Sequence, residues 1–386
     1  MIIAIDEAIP YLQSALTPLG DVKPFTGRSV RAVDLRNAEA LIVRSVTRVD
    51  ADLLDGSSVR FVGTVTTGID HLDLKFLKAA GIRVADAAGS NANPVSEWVL
   101  ASLLVTADRR GWELLGKSIG IIGAGHVGSL VERKTRALGM EVLLCDPPLR
   151  ESTGNSRYGF LDDVLHADVL TLHVPLTTQG PYPTFHMIDR SMLEHLSRRQ
   201  VVINSSRGSV VCGSDLKHAL RERRIGGAIL DVWEGEPMID SDLLALTDLG
   251  TPHIAGSSLD AKVRGTLMIF QELCRYFQIR SEWDTGSLFP QPRKLCVEHG
   301  ARGQEAVRSV VLQVYDILKD DAALKSLSQS GGTAPLFSFD LLRNAYALRP
   351  EFSNFLVEVP EESGLQPILA AIGFQVMTAA VDTGGA

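Results

Sequence analysis

The chain has 386 residues, of which 45% are hydrophobic, and a formal net charge of −8. This length allows two or three domains with sizeable cores, and the negative charge gives no general attraction to nucleic acid or to an anionic membrane. The longest apolar stretch, Trp98 to Ala107, is too short to span a bilayer. We therefore expect a globular protein that binds neither nucleic acid nor membrane.

The number and spacing of the cysteines indicate whether disulfides or a zinc site are expected, and in which cellular compartment. The four cysteines, which are Cys145, Cys212, Cys274 and Cys296, are widely scattered, and none forms a Cys-x-x-Cys pair. This spacing favours neither a zinc site nor a secreted disulfide framework, so no metal site is predicted. The segment from Met1 to Glu7 lacks a basic start and is typical of a first strand instead of a signal peptide. A cytoplasmic location is expected.

Residues 1–92 alternate between short apolar runs and stretches of helical periodicity, which predicts a first α/β domain. The predicted strands are Ile2–Ile5, Ala40–Val43, Val59–Val62 and Arg83–Val84, and the predicted helices are Pro10–Leu19 and Leu74–Ala80. A long apolar helix from Pro94 to Arg109 follows, with Asn93 in the position of its N-terminal cap. This helix is expected to open the second domain.

The pattern Gly-x-Gly-x-x-Gly occurs at Gly123, Gly125 and Gly128, directly after the apolar run 119–122. A second apolar run ends at Asp146, which lies 146 − 123 = 23 positions past the first glycine. Such a turn lets the backbone approach a pyrophosphate, a helix that starts near His126 directs free N–H groups at it, and the acid accepts the ribose hydroxyls. The sequence therefore predicts a dinucleotide site. Because a carboxylate repels the 2′-phosphate of NADP, NAD is the expected cofactor.

Further strands are predicted at Val169–Leu172, Val201–Ile203 and Ala228–Leu230, each preceded by a helical stretch. This alternation predicts a parallel, doubly wound sheet, whose ligands gather at the carboxyl ends of its strands. Another long helix is predicted from Ala261 to about Phe277, and a turn-rich linker from Gly286 to Lys294.

The remaining hundred or so residues show helix and strand signals but no constellation of catalytic groups. The predicted elements are helices 306–318, 339–346 and 365–372, strands 355–359 and 374–377, and a loop at 331–332. A small α/β module of this kind serves assembly or binds a regulatory ligand, and we favour a dimerisation role.

Three residues, two after predicted strands and one in a predicted loop, could assist the oxidation of an alcohol by NAD. His253 could take the hydroxyl proton, Glu236 could stabilise the resulting imidazolium, and the planar fork of Arg207 could hold a substrate carboxylate. Each residue also has an alternative role without catalysis. His253 could be a structural loop histidine, Glu236 a solvated acid in a turn, and Arg207 part of a surface ion pair. Their combination favours catalysis.

The runs 204–208, 231–237 and 253–256, in this order after the glycine turn, resemble the D-isomer-specific 2-hydroxyacid dehydrogenase family. The resemblance implies two doubly wound, Rossmann-like α/β domains, with residues 1–92 and 256–285 binding substrate and residues 93–255 binding NAD. It further implies that residues 286–386 form a small α/β domain that makes a homodimer. The implied reaction is NAD-dependent oxidation of a phosphorylated D-2-hydroxy acid in vitamin B6 synthesis, with Arg207, Glu236 and His253 as catalytic residues.

The same resemblance assigns further site residues. Ser45, Thr66 and Ser257 are implied to contact substrate, although Ser257 stands where the similar enzymes usually have a tyrosine. The implied cofactor-binding residues are Gly123, Gly125, His126, Val127, Gly128, Asp146, Val174, Ser205, Ser206, Arg207, Asp231 and Gly256.

Two rival functions remain open. The first is the same chemistry on another D-2-hydroxy acid, such as 3-phosphoglycerate. The second is an interaction protein that senses NAD and dispenses with catalysis. The joint presence of Arg207, Glu236 and His253 favours an enzyme.

Overall fold

The structure, a computed structural model, describes residues 1–298, 300–328 and 336–379. The chain divides into two compact units. Unit 1 comprises residues 1–91 and 258–290, and unit 2 comprises residues 92–257 and 291–386. The loop predicted at 331–332 lies outside the described residues.

Strands and helices alternate along most of the described chain. The strands are β1 (Ile2–Asp6), β2 (Asp21–Phe25), β3 (Ala40–Val43), β4 (Phe61–Thr64), β5 (Arg83–Asp86), β6 (Ser118–Ile122), β7 (Glu141–Cys145), β8 (Tyr158–Gly159), β9 (Val169–Leu172), β10 (Val201–Asn204), β11 (Gly227–Leu230), β12 (Leu249–Gly250), β13 (Arg293–Cys296), β14 (Phe355–Pro360) and β15 (Gln375–Ala379). The α-helices are α1 (Leu12–Leu16), α2 (Ala51–Leu54), α3 (Leu74–Ala79), α4 (Ala92–Arg110), α5 (His126–Ala137), α6 (Pro147–Thr153), α7 (Arg190–Glu194), α8 (Gly213–Arg221), α9 (Ser241–Leu246), α10 (Leu259–Tyr276), α11 (Gly303–Val314), α12 (Ile317–Ser328), α13 (Leu336–Asn344) and α14 (Leu365–Ile372).

Unit 1 is built on a five-stranded parallel sheet in the order β2-β1-β3-β4-β5. One hydrophobic core lies where α1 and α10 pack on this sheet, around Phe61 and Phe270. Two predictions need correction. β2 was not predicted, because its residues 21–25 are mostly exposed and lack an apolar run. β4 begins at Phe61, two residues later than predicted.

Unit 2 contains a seven-stranded parallel sheet in the order β12-β11-β10-β9-β6-β7-β8. The order reverses between β6 and β9, which is the topological switch point where ligands bind in open α/β sheets. Apolar cores that include Ile121, Ile203, Ile229, Leu170 and Leu230 fill the space beside the sheet. The predicted parallel α/β fold is confirmed.

The long helix α4 is buried along most of its length. It begins at Ala92, so Asn93 lies inside the helix and the predicted cap is wrong. The Asn93 side chain instead donates hydrogen bonds to the carboxylates of Glu97 and Glu351, at 3.0 and 2.7 Å. In the described part of the chain, no helix is both long enough and apolar enough to cross a membrane.

The C-terminal part of unit 2 has a three-stranded parallel sheet in the order β13-β14-β15. β13 begins at Arg293, inside the segment predicted as a linker. The strand was not predicted because only one of its residues, Leu295, is buried, which gives too little apolar signal in the sequence. The predicted helix 306–318 is two helices, α11 and α12, since Tyr315 adopts an extended conformation.

A buried ionic cluster joins α4 to this C-terminal part. The Glu97 carboxylate is fully buried, pairs with the Arg349 guanidinium, and accepts the backbone N–H of Phe352 at 2.8 Å. Burial raises the pKa of Glu97, against the opposing charges of Arg349 and Lys134. Burial also lowers the pKa of Lys134, to about 8. The cluster fixes how the two parts of unit 2 pack.

Replacing Arg349 by Met should lower the free energy of unfolding by about 3 kcal/mol, because removal of one partner leaves a buried carboxylate uncompensated. Equilibrium denaturation measures the loss. Arg308→Met is the control, since Arg308 pairs with Asp108, whose side chain is 50% exposed, and such pairs contribute under about 1 kcal/mol. Equal losses in the two variants would contradict the account.

Candidate active site

The glycine turn after β6 lies at the switch point of the seven-stranded sheet. Gly123 has φ +92°, and a Cβ on it would lie 2.6 Å from the carbonyl oxygen of His173, the residue that follows β9. A Cβ on Gly128 would lie 2.0 Å from the carbonyl oxygen of Gly123. Both positions therefore require glycine for close backbone packing.

The middle glycine of the turn, Gly125, differs from the other two because a Cβ there would meet no described atom within 4 Å. Gly125 is also the N-cap of α5, and no side chain of the described residues caps this helix. The helix begins at His126, as predicted. Its first N–H groups and the open space at Gly125 suit an anionic group such as a pyrophosphate.

Asp146 follows β7 and connects two elements of the site. Its Oδ2 accepts the backbone N–H of Ala124 at 2.8 Å, within the glycine turn, and its Oδ1 caps α6 through the N–H of Leu149 at 3.0 Å. The residue expected to accept ribose hydroxyls thus also fixes the turn. The side chain is half-buried, which leaves part of the carboxylate accessible.

His173 occupies the end of β9 at the switch point. Its Nε2 lies 2.9 Å from Thr171 Oγ1, and its Nδ1 lies 3.4 Å from Ser205 Oγ after β10. Burial lowers the pKa of His173 to about 3, so the imidazole is neutral at physiological pH. The next residue, Val174, is partly buried and packs against the neighbouring core.

The loop after β10 carries Arg207. Asn204 organises this loop: its Oδ1 accepts both the backbone N–H and the hydroxyl of Ser206, and its Nδ2 donates to the Arg207 carbonyl at 3.0 Å. A Cβ on Gly208 would lie 2.0 Å from the carbonyl oxygen of Trp233. The Arg207 loop therefore packs directly on the turn that leads to Glu236.

The loop that carries His253 is held by Asp231 at the end of β11. The Asp231 carboxylate is 2% exposed and accepts the N–H groups of Ile254 and Ala255 at 2.8 and 3.0 Å and the hydroxyl of Thr251 at 2.6 Å. The Asp231 carbonyl accepts the N–H of His253 at 2.7 Å. Both ends of the turn around His253 are thus fixed to one residue.

Glu236 and His253 are in direct contact. Glu236 Oε2 lies 2.7 Å from His253 Nδ1, and Glu236 Oε1 accepts the N–H of Trp233 at 2.8 Å. Burial acts to raise the pKa of Glu236, but the hydrogen bond and charge of His253 outweigh it, so this pKa lies below its usual value. The carboxylate is therefore ionised and orients the imidazole. His253 has φ +56°, an uncommon conformation that its backbone hydrogen bond to Asp231 holds in place.

Three further predicted site residues in unit 2 lie near these loops or in helix α5. Gly256 and Ser257 follow the loop of His253, and the Ser257 N–H donates to the Ile254 carbonyl at 2.7 Å. Both are partly exposed. Val127 lies in the first turn of α5 and is partly buried.

The predicted substrate residues of unit 1 follow neighbouring strands. Ser45 is exposed after β3, and Thr66 follows β4, where its hydroxyl lies 2.8 Å from Thr64 Oγ1 and donates to the Gly68 carbonyl at 2.9 Å. Arg44, a further candidate for binding an anion, forms a two-point ion pair with the fully buried Asp6 at 2.8 and 3.2 Å.

The structure adds a support that the sequence did not indicate. Asp321 on α12 is 7% exposed and accepts the N–H of Gly250 in β12 at 2.8 Å. Lys325, one turn later, forms an ion pair with Asp321 at 2.9 Å and donates to the Thr247 carbonyl at 3.1 Å. Helix α12 thus braces the segment that leads into the His253 loop. No local pattern in the sequence links residues 71 positions apart.

Known proteins match both parts of unit 2. Residues 88–255 match the family described as D-isomer specific 2-hydroxyacid dehydrogenase, NAD binding domain. Residues 288–373 match a domain of unknown function, DUF3410. Among curated proteins, the erythronate-4-phosphate dehydrogenase of Chromohalobacter salexigens is 42% identical over 380 residues, covering 97% of this chain and 99% of the relative. The enzyme of the same name from Escherichia fergusonii is 38% identical over 379 residues, covering 98% of this chain and 99% of the relative.

The chain belongs to the erythronate-4-phosphate dehydrogenase family. Among solved structures, D-lactate dehydrogenase from Aquifex aeolicus, complexed with NAD and lactic acid, is 26% identical with a TM-score of 0.61, covering 72% of this chain and 96% of that chain. An NAD-dependent formate dehydrogenase from Staphylococcus aureus shares the fold, with 21% identity and a TM-score of 0.59. The match covers 73% of this chain and 97% of that chain. The predictions of an oxidoreductase that uses NAD are confirmed.

The contact between Asp321 of α12 and Gly250 of β12 can be tested by mutation. Asp321→Ala should lower the free energy of unfolding by about 1–3 kcal/mol, because it leaves the buried Gly250 N–H without an acceptor. It should also lower kcat, because the His253 loop loses a support. Asp321→Asn keeps an acceptor oxygen and should recover most of both losses.

Denaturation curves and steady-state rates measure these effects. Asp242→Ala is the matched control, since the Asp242 side chain is 61% exposed in its pair with Arg221, and it should change neither value appreciably. If Asp321→Asn were as damaging as Asp321→Ala, the hydrogen bond would not be the cause.

Proposed function

We propose that this protein oxidises 4-phospho-D-erythronate to (R)-3-hydroxy-2-oxo-4-phosphooxybutanoate with NAD, as a step in the biosynthesis of pyridoxal 5′-phosphate. The observation that carries the proposal is the 2.7 Å contact between His253 and Glu236 at the same sheet edge as the dinucleotide turn. The names of full-length relatives at 42% and 38% identity supply the substrate.

The residues at the switch point fit NAD. The open space at Gly125 and the start of α5 suit the pyrophosphate, and Asp146 suits the adenosine ribose. The other proposed cofactor contacts, at the ends of β9 to β12, are Val174, Ser205, Ser206, Arg207, Asp231 and Gly256. NAD, when bound, supplies the acceptor for the hydride that leaves the substrate.

His253 is the proposed general base. Since its Nδ1 faces Glu236, its Nε2 is the nitrogen that takes the proton of the substrate 2-hydroxyl. The Glu236 carboxylate stabilises the imidazolium that forms, and in the reverse direction the same imidazolium returns the proton. Preorganisation by Asp231 and Glu236 keeps the ring in one orientation throughout.

Arg207 is the proposed clamp for the substrate carboxylate, because its planar guanidinium can form two parallel hydrogen bonds to a carboxylate. The Asn204 contacts fix the backbone from which this side chain extends. A guanidinium there also stabilises the negative charge that grows on the substrate oxygen.

Substrate contacts are further proposed for Ser45, Thr66 and Ser257. Their hydroxyl groups can donate hydrogen bonds to the phosphate or the hydroxyls of the substrate. Arg44 is paired with Asp6, so its guanidinium attracts an anion less strongly than an unpaired arginine would. At Ser257 a shorter hydroxyl replaces the tyrosine expected from the resemblance.

We assign the three predicted domains separate roles. Residues 1–92 and 256–285 bind the substrate, residues 93–255 bind NAD, and residues 286–386 form the homodimer interface. A cytoplasmic location is proposed with it, supported by the four cysteines, all of which are free. Light scattering on the purified protein tests the assembly, with a particle of two chains as the expected result.

The substrate proposal is tested by following NADH absorbance with 4-phospho-D-erythronate, 3-phosphoglycerate, D-glycerate and D-lactate. We expect the highest kcat/KM with 4-phospho-D-erythronate, at least tenfold above the others, because the full-length relatives carry the name of an enzyme for that substrate. 3-Phosphoglycerate has one carbon fewer between its carboxylate and its phosphate, and D-glycerate and D-lactate have no phosphate. A preference for 3-phosphoglycerate would replace the proposed substrate, and NAD binding without any turnover would favour a sensor.

His253→Ala should lower kcat by about 10²–10⁴-fold while the Kd for NAD stays within about twofold, because proton transfer and dinucleotide binding use different groups. Stopped-flow kinetics measure the change in turnover, and titration with NAD measures the Kd. His195→Ala, at an exposed histidine on the surface, is the control and should retain full activity. Full activity in His253→Ala would refute its assignment as the base.

A further inference from the structure

A second cluster of ligating side chains lies beside the proposed site and uses none of its proposed catalytic residues. His186, Cys212 and Glu234 each offer one ligand atom, and these atoms all lie within 4.8 Å of one another. All three side chains are half-buried. An imidazole, a thiol and a carboxylate at such separations are the donor types that bind Zn²⁺ in proteins.

The backbone fixes two of these residues against each other. The His186 N–H donates to the Ser209 carbonyl at 2.8 Å, and the Cys212 N–H donates to the Ile188 carbonyl at 2.9 Å. Ile188 and Val211 form a parallel bridge between these two hydrogen bonds. The separation of His186 and Cys212 is therefore set by paired backbone.

Stacking fixes the orientation of the imidazole. The rings of Phe185 and His186 lie 4.0 Å apart, centroid to centroid, at an interplanar angle of 20°. His186 has φ +49°, an uncommon conformation for a residue other than glycine. A conformation that must be held in this way is typical of functional positions.

Glu234 completes the cluster from the turn after β11. Its Oε1 lies 2.5 Å from His186 Nε2, and its Oε2 accepts the N–H of Gly213 at 3.0 Å. Both groups of this contact are of types that ligate metal ions. The bond to Gly213, the residue after Cys212, holds the carboxylate beside the thiol.

The cluster is reachable from solvent. A cavity of about 260 Å³ adjoins it, lined by Glu234 together with Gly213, Ser214 and Met238 among others. Met238 is 63% exposed at its margin. The cavity provides an entry path for an ion and room for water as an additional ligand.

We propose that His186, Cys212 and Glu234 form a zinc site with three protein ligands and a fourth position for water. In a tetrahedral site, zinc to ligand distances of about 2.0–2.3 Å place the ligand atoms roughly 3.3–3.8 Å apart, so small side-chain rotations suffice. Binding releases the thiol proton to solvent, and the imidazole binds through a ring nitrogen that carries no proton, as zinc ligation requires. The thiolate selects Zn²⁺ over Mg²⁺ or Ca²⁺.

Cobalt(II) is the probe, because it enters zinc sites and reports thiolate ligation by absorption. Titration of the reduced, full-length protein with Co²⁺ should give one equivalent bound, with a thiolate-to-cobalt charge-transfer band that Zn²⁺ abolishes on displacement. Cys212→Ser should lose the band. Cys296→Ser, at an exposed cysteine elsewhere, is the matched control and should keep it.

His186→Gln and Glu234→Gln should each weaken Zn²⁺ at least tenfold in competition with a chromophoric chelator, and they provide an independent test if Cys212→Ser fails to fold. Absence of the band in the wild type, its survival in Cys212→Ser, or its loss in Cys296→Ser would overturn the proposal. NADH production in metal-free buffer tests the dehydrogenase function separately, so failure of one leaves the other standing.

Discussion

The buried carboxylate of Asp231 is the constraint on which the active-site edge depends. It accepts hydrogen bonds from the backbone of Ile254 and Ala255 and from the Thr251 hydroxyl, while its own carbonyl receives the N–H of His253. Burial raises the pKa of Asp231, and the nearby His253 and these donors act to lower it. A group that meets so many donors in a dry environment sets the loop rigidly.

The remaining parts of the edge are arranged around that loop. Trp98 of the buried helix α4 donates to the Thr251 hydroxyl at 3.1 Å, and Trp233 donates to the Thr251 carbonyl at 3.0 Å. The Trp233 turn then supplies Glu236 to His253 and, through its contact with Gly208, supports the loop of Arg207. Groups from three strand ends are thus positioned by a common set of buried hydrogen bonds, which is the preorganisation that the proposed proton transfer requires.

The sequence predicted the features that have local periodicity or short motifs. The buried strands Ala40–Val43 and Val169–Leu172 match the structure at both ends, and α5 begins at His126, near which its start was predicted. The polar, exposed strand β2 and the short β13 carry too little apolar signal to be recognised. Asn93 looked like a cap, but its partners Glu97 and Glu351 are known only once the chain has folded.

For the site, the sequence supplied residue types and the structure supplied contacts. The pair of Glu236 and His253 was anticipated from the chemistry, whereas Asp321 and the cluster of His186, Cys212 and Glu234 depend on pairings between distant segments. Cysteine spacing does not point to the proposed zinc site, because its three candidate ligands come from separate loops. Roles for Ser45 and Thr66 stay predictions.

The contacts from α12 have a practical meaning for anyone who shortens the chain. The turn-rich stretch after α10 is an inviting place to cut, because a shorter dehydrogenase of the same fold covers only 72% of this chain. Such a fragment would lack Asp321 and Lys325, and with them the polar partners of Gly250 and Thr247. In this protein the C-terminal segment supports the chain that leads into the loop of His253, so it cannot be treated as a detachable tail.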